Sequence, residues 1–159
     1  MVNSAAFAKH DHTKCVAQGL KTASSLCDAR RARMTPIRRR VLEILLAEHK
    51  AMGAYDVLER LRRDGLADKP PVAYRALNFL VEQGLVHRVE KLNAYVACDN
   101  PQAQHQPMFL ICDTCQHVAE RQNNLVEDLG TVIDAESGFQ VQKMVFEAQG
   151  LCPSCQRVE

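Results

Sequence analysis

Four of the seven cysteines stand in two C-x-x-C pairs, Cys112/Cys115 and Cys152/Cys155, separated by the segment Gln116 to Leu151. A C-x-x-C turn places two sulfurs on one side of a tight loop. Two such turns supply four thiolates, the ligand set of a structural zinc site. The spacer must then fold back to bring the halves together. The competing reading is a pair of disulfides in a secreted protein. Met1 to Lys21 contains no apolar run of signal-peptide length, and an odd cysteine count suits a disulfide framework poorly. Cysteines kept in a reducing compartment hold metal or pack in cores, so a cytoplasmic protein with structural zinc is expected.

His87, Cys98, His105 and Glu120 form a second, dispersed set of candidate ligands. Each also has a plain reading: a strand histidine, a buried thiol, a loop histidine, a solvated carboxylate. Spacing leaves both readings open. Convergence would close a tetrahedral site with four protein ligands and leave no open position for a substrate, which argues against metalloenzyme chemistry. One thiolate among nitrogen and oxygen donors favours zinc over an all-N/O set. A third group, His10, His12 and Cys15, lies near the N-terminus, where chance ligands on a frayed end are the simpler account.

The elements that must carry these residues are helical first and extended later. Val16, Leu20, Ala23 and Cys27 recur at helical intervals and predict a helix over about 13–31, with Cys27 in the core. Thr35-Pro36 reads as an N-cap followed by proline at the first helical position. A third helix spans Ala54 to about Arg63. A fourth, over about 72–83, turns Ala73, Ala76, Leu77 and Leu80 inward, leaves Tyr74, Arg75 and Asn78 outward, and closes at Gly84. Alternating residues over 85–97 predict a hairpin. Helices, then a helix with exposed Tyr and Arg, then a hairpin is the order of a winged helix-turn-helix domain, placed here at residues 1–97. A polar, proline-bracketed hinge is expected over 98–107. Residues 108–159 read as a β-β-α-β module: strands at Met108–Cys112 and Val118–Gln122, a helix to about Glu136, then a strand from Phe139 to Ala148. Such a module is too small for a large core, so metal and a partner subunit are its expected supports. The fold class is α+β.

Charge divides the same way. Residues up to Lys91 carry 17 Lys/Arg against 10 Asp/Glu, and those after it 3 against 9, so only the front half is suited to a polyanion. Arg30, Arg31, Arg33, Arg38, Arg39 and Arg40 crowd one short stretch of it. Tyr74, Arg75 and Asn78 are the candidate base-reading residues, with Arg33 and Arg38 as further DNA contacts.

The chain resembles the ferric uptake regulator family of metal-dependent bacterial repressors, and within it the zinc-responsive branch. The likeness rests on Arg33-Met34-Thr35-Pro36-Ile37-Arg38, Gly53 to Leu58, Tyr74 to Leu80, Gly84 to Glu90, Asn93 to Cys98, Phe109 to Cys115 and Gly150 to Cys155. It implies a homodimer with an N-terminal winged-helix domain and a C-terminal dimerisation domain. It also assigns Cys112, Cys115, Cys152 and Cys155 to structural zinc, and His87, Cys98, His105 and Glu120 to a regulatory zinc site. One departure is Val72-Ala73, where the family usually has Thr-Val. The reading is a non-enzymatic, zinc-sensing repressor of zinc uptake and homeostasis genes that binds double-stranded operator DNA, with neither membrane nor small-molecule substrate as partner. The alternatives are the same fold sensing iron or manganese, a zinc hydrolase, for which no H-E-x-x-H motif is present, and a zinc-ribbon adaptor, which leaves the basic half unexplained.

Overall fold

The computed structural model describes residues 12–48, 50–103, 105–122 and 124–157. His10 lies outside them. The chain is α+β, and its described residues form two compact units that divide after Ala103.

The first unit holds α1 (His12–Ala29), α2 (Pro36–Leu46), α3 (Ala54–Arg63), α4 (Pro70–Glu82), β1 (Val86–Val89) and β2 (Ala94–Ala97). Helix α2 starts where the sequence places a start signal. Thr35 is extended, its hydroxyl accepts from the Arg38 N–H at 3.4 Å, and Pro36 occupies the first turn. In α3 the cap is made from the other side: the Asp56 carboxylate accepts from the Gly53 N–H at 3.2 Å. Helix α4 begins two residues before the expected position, because prolines 70 and 71 need no intrahelical N–H partner in the first turn. Gly84, at φ +66, lets the chain leave α4 in a left-handed turn.

Packing follows the apolar stripes. Val41, Leu42, Leu45, Val57, Leu58, Leu61, Leu77 and Leu80 close into one core with Leu20, Ala23 and Cys27 of α1. Gly19 lets α1 approach α2, since a Cβ there would lie 2.8 Å from the Leu46 side chain. The hairpin pairs His87 with Val96 and Arg88 with Tyr95, and Met52 adds an isolated antiparallel bridge to Tyr95.

The second unit holds β3 (Pro107–Cys112), β4 (Val118–Gln122), α5 (Asn124–Ser137) and β5 (Phe146–Gly150). β3 is central, antiparallel to β4 and parallel to β5. The strand expected from Phe139 is a correction: residues 139–145 have no regular structure, and pairing with β3 begins at Phe146. Alternation marks residues able to lie on a sheet, but a strand also needs a neighbour, and β3 offers β5 only Met108 to Cys112.

Candidate metal centres and nucleic-acid surface

The register of β3 and β5 closes the long cysteine spacer. Cys112 lies opposite Gly150, so Cys152 arrives two residues later beside the first knuckle. The Asp113 N–H donates to the Gly150 carbonyl at 2.8 Å and the Cys152 N–H to the Cys112 sulfur at 3.3 Å, tying the knuckles together. The four sulfurs lie within 4.8 Å of one another, with Cys115 and Cys152 at 3.7 Å. Four sulfurs held tetrahedrally about 2.3 Å from one ion stand about 3.8 Å apart, so the donor set fits zinc. The separation is far beyond a disulfide's bond length of about 2.05 Å. Backbone N–H groups of Cys115 and Cys152 aimed at the Cys112 sulfur bring that thiol down to about 6. Burial raises the Cys115 thiol, and contact with the Cys152 thiol pushes Cys155 up to about 12. Without a cation, one site cannot hold four thiolates.

The second ligand set is built in two halves, one in each unit. Cys98 follows β2, and its N–H donates to the Leu85 carbonyl, so Cys98 and His87 share one face of the hairpin. Their ligand atoms lie within 4.8 Å. In the second unit, Glu120 on β4 is the sole buried charged side chain among the described residues, and its carboxylate contacts His105 Nε2. A buried carboxylate is costly without a compensating donor, which His105 supplies.

On α4, Tyr74, Arg75 and Asn78 are all exposed, opposite the buried Ala73, Ala76, Leu77 and Leu80. Tyr74 keeps 40% of its surface in solvent. Arg33 is exposed as well, whereas Arg38 is half-buried, with its guanidinium 3.6 Å from the centroid of the Phe79 ring.

The sequence profile of the ferric uptake regulator family matches residues 29–149. The chain belongs to this family. The zinc uptake regulation protein of Escherichia coli (strain K12) is 43% identical over 143 residues, covering 88% of this chain and 82% of that protein. A zinc uptake regulator solved in complex with zinc and DNA is 40% identical and superposes with a TM-score of 0.84, covering 94% of this chain and 98% of the other. Holo XcZur, also 40% identical, gives 0.79 over 86% and 96%.

Against the family pattern, Val72-Ala73 costs this member no visible cap. Lys69 is the N-cap of α4 without a side-chain bond, and the paired prolines shape the first turn instead. Sequence reasoning passes over Tyr55, 67% exposed on α3; the available signal is an aromatic ring off the Val57/Leu58/Leu61 stripe. Cys27 is buried in the first core, and burial raises its thiol. Cys15 is exposed, and nothing in the described residues draws it to a ligand set. No helix among the described residues is long and apolar enough to cross a membrane.

Proposed function

We propose that this chain is a zinc-responsive, DNA-binding transcriptional repressor that acts as a homodimer on genes of zinc uptake and homeostasis. The likeness to a zinc uptake regulator solved with zinc and DNA carries this reading. In it, α2 to α4 and the hairpin form a winged helix-turn-helix, α4 enters the major groove, and the second unit dimerises. Arg75 reads a guanine edge or a phosphate, Tyr74 contacts a base, Asn78 lies one turn further along, and Arg33 meets the backbone. Cys112, Cys115, Cys152 and Cys155 hold a structural zinc that keeps the dimerisation unit folded.

His87 and Cys98 come from the DNA-binding side, and His105 and Glu120 from the other. Joint ligation by these four side chains would tie two units that otherwise pivot over 98–107. Two recognition helices must meet the duplex at one separation, so a freely pivoting dimer spreads over incompetent geometries. Linkage then requires operator DNA to tighten metal binding by the factor by which metal tightens DNA binding. The test is a zinc titration of DNA binding with total metal measured alongside. The expected result is operator binding that rises with zinc while one further zinc per chain stays bound throughout. Operator binding restored by iron or manganese but not by zinc would overturn it in favour of an iron- or manganese-sensing member of the same fold.

A further inference from the structure

The arginine-rich stretch does not turn one uniform face outward. Arg40 is tied to Asp64 at 2.6 Å and to Glu43 at 2.9 Å, and these partners raise its pKa. Arg30 and Arg38, near its two ends, both reach α4. The Arg38 guanidinium sits over the Phe79 ring, while its Nη1 donates to the Arg33 carbonyl at 2.6 Å. Arg30 Nη1 donates to the carbonyl of Gln83, the C-cap of α4. Phe79 and Gln83 stand one turn apart on the same side of the helix. The last carbonyls of a helix lack intrahelical donors and carry the negative end of its dipole, so a guanidinium at Gln83 is favourably placed.

The backbone aims Arg30 there. Helix α1 closes in a Schellman turn: the Ala32 N–H donates to the Cys27 carbonyl at 2.8 Å and the Arg31 N–H to the Asp28 carbonyl at 3.1 Å. Arg31 takes the left-handed position, φ 54, that glycine usually fills. That conformation is unfavourable for a residue with a Cβ and persists only where its surroundings hold it.

We propose that Arg30 and Arg38 are positioning residues that clamp the C-terminal half of α4 and so set the angle at which Tyr74, Arg75 and Asn78 are presented. The phosphate-facing charge of the stretch then falls to Arg31, Arg33 and Arg39, all exposed. Arg38 moves from the DNA contacts expected of it to a role inside the protein. This rests on the reading of α4 as the base-reading helix. Loss of a phosphate contact weakens every DNA sequence alike and flattens the salt dependence, whereas a tilted reading helix loses discrimination while the salt dependence stays.

The experiment compares Arg38→Gln, Arg30→Gln, Phe79→Leu and Arg39→Gln in the zinc-loaded full-length dimer. Binding is measured over a range of salt to an operator selected from random duplexes and to a scrambled duplex. Arg38→Gln should weaken operator binding roughly tenfold, leave the scrambled duplex nearly unchanged and keep the wild-type slope of log K against log salt. Phe79→Leu should give the same signature and add little to Arg38→Gln in the double variant. Arg30→Gln should give a smaller loss of the same kind. Arg39→Gln should weaken both duplexes alike and reduce the slope by about 0.9. Arg30 acts from the surface on one carbonyl, so its variant keeps the test open should Arg38→Gln or Phe79→Leu unfold in a thermal melt. The proposal is overturned if Arg38→Gln and Arg30→Gln behave as Arg39→Gln does, or if Arg38→Lys, which keeps the charge without the planar guanidinium, restores operator binding in full. An unmodified protein with no zinc-dependent operator preference overturns the reading of α4 itself, and this proposal with it.

Discussion

Between Leu20 and Tyr95, side chains from four helices and the hairpin close over one another in one buried cluster. The unit beyond Ala103 buries Phe109, Ile111, Val118 and Ala119 along a small sheet and leaves Leu129, Val132, Phe139, Val145 and Leu151 at least 40% exposed. The first arrangement spreads stability over many contacts, so one truncated core leucine removes about 2–5 kcal/mol and no more. In the reading proposed above, the second concentrates it in four sulfurs on one zinc and in apolar surface covered by a second copy of the chain. Damage should therefore be graded in one unit and all-or-none in the other.

The largest effect expected is the loss of one cysteine ligand. Zinc binding supplies about 10–16 kcal/mol of apparent folding free energy in small structural sites. Cys152→Ser should lose one tightly held zinc per chain and the dimer, while far-UV dichroism from the N-terminal helices persists. Leu61→Ala should instead lower the melting temperature and leave zinc content and dimer intact. A folded Cys152→Ser dimer with unchanged zinc would remove the contrast.

Protons sharpen the same point. With no metal bound at neutral pH, Cys112, at about 6, is already thiolate, whereas Cys115 is raised and Cys155 stands at about 12, so both hold protons. Only thiolates ligate, so loading zinc must release the protons of Cys115 and Cys155, and affinity must rise as pH increases. Calorimetry in buffers of different ionisation heats should show this release. Zinc affinity independent of pH between about 6 and 8 would contradict the sign.

Cys98→Ser tests the proposed regulatory site. It should keep the structural zinc and the dimer yet lose the zinc-dependent gain in DNA affinity, a coupling of about 1–3 kcal/mol. Wild-type DNA binding at every zinc level would show that Cys98 is not a switch ligand. Tyr74→Ala and Arg75→Ala test the proposed reading face. Each lost base contact should cost about 1–3 kcal/mol and relax specificity at one position of the operator. Dimeric variants that still select the operator normally would place recognition elsewhere.

The two units also differed in how plainly the sequence announced them. Thr35-Pro36, Gly53 and Gly84 are local signals for helix ends, and each sits at one. The paired C-x-x-C motif is equally local, and the sulfurs do gather. Phe139 to Val145 misled because a strand is decided by a neighbour, not by alternation. The contact of His105 with Glu120 depends on β4 running back along β3, which no spacing encodes. The Arg30 and Arg38 contacts with α4 were hidden for the same reason, since an arginine run reads as one solvated face until its tertiary partners are known.

The smallest effect returns to the well-packed unit. Thr35 caps α2 through a 3.4 Å bond, longer than the usual 2.7–3.2 Å range, so Thr35→Ala should fall near the lower end of the usual cost, about 0.5–1 kcal/mol. The loss should appear in thermal unfolding of the N-terminal unit alone, with zinc content and dimer unchanged. It should also leave the preference for operator over scrambled duplex as it was, because the Arg38 side chain keeps Phe79 and the Arg33 carbonyl as partners even after its backbone N–H loses the cap. A variant that shed zinc or dissociated would mean that one lost cap in the first unit destabilises the second. In that case the two units would unfold as one cooperative body, and the contrast between graded and all-or-none damage would fail.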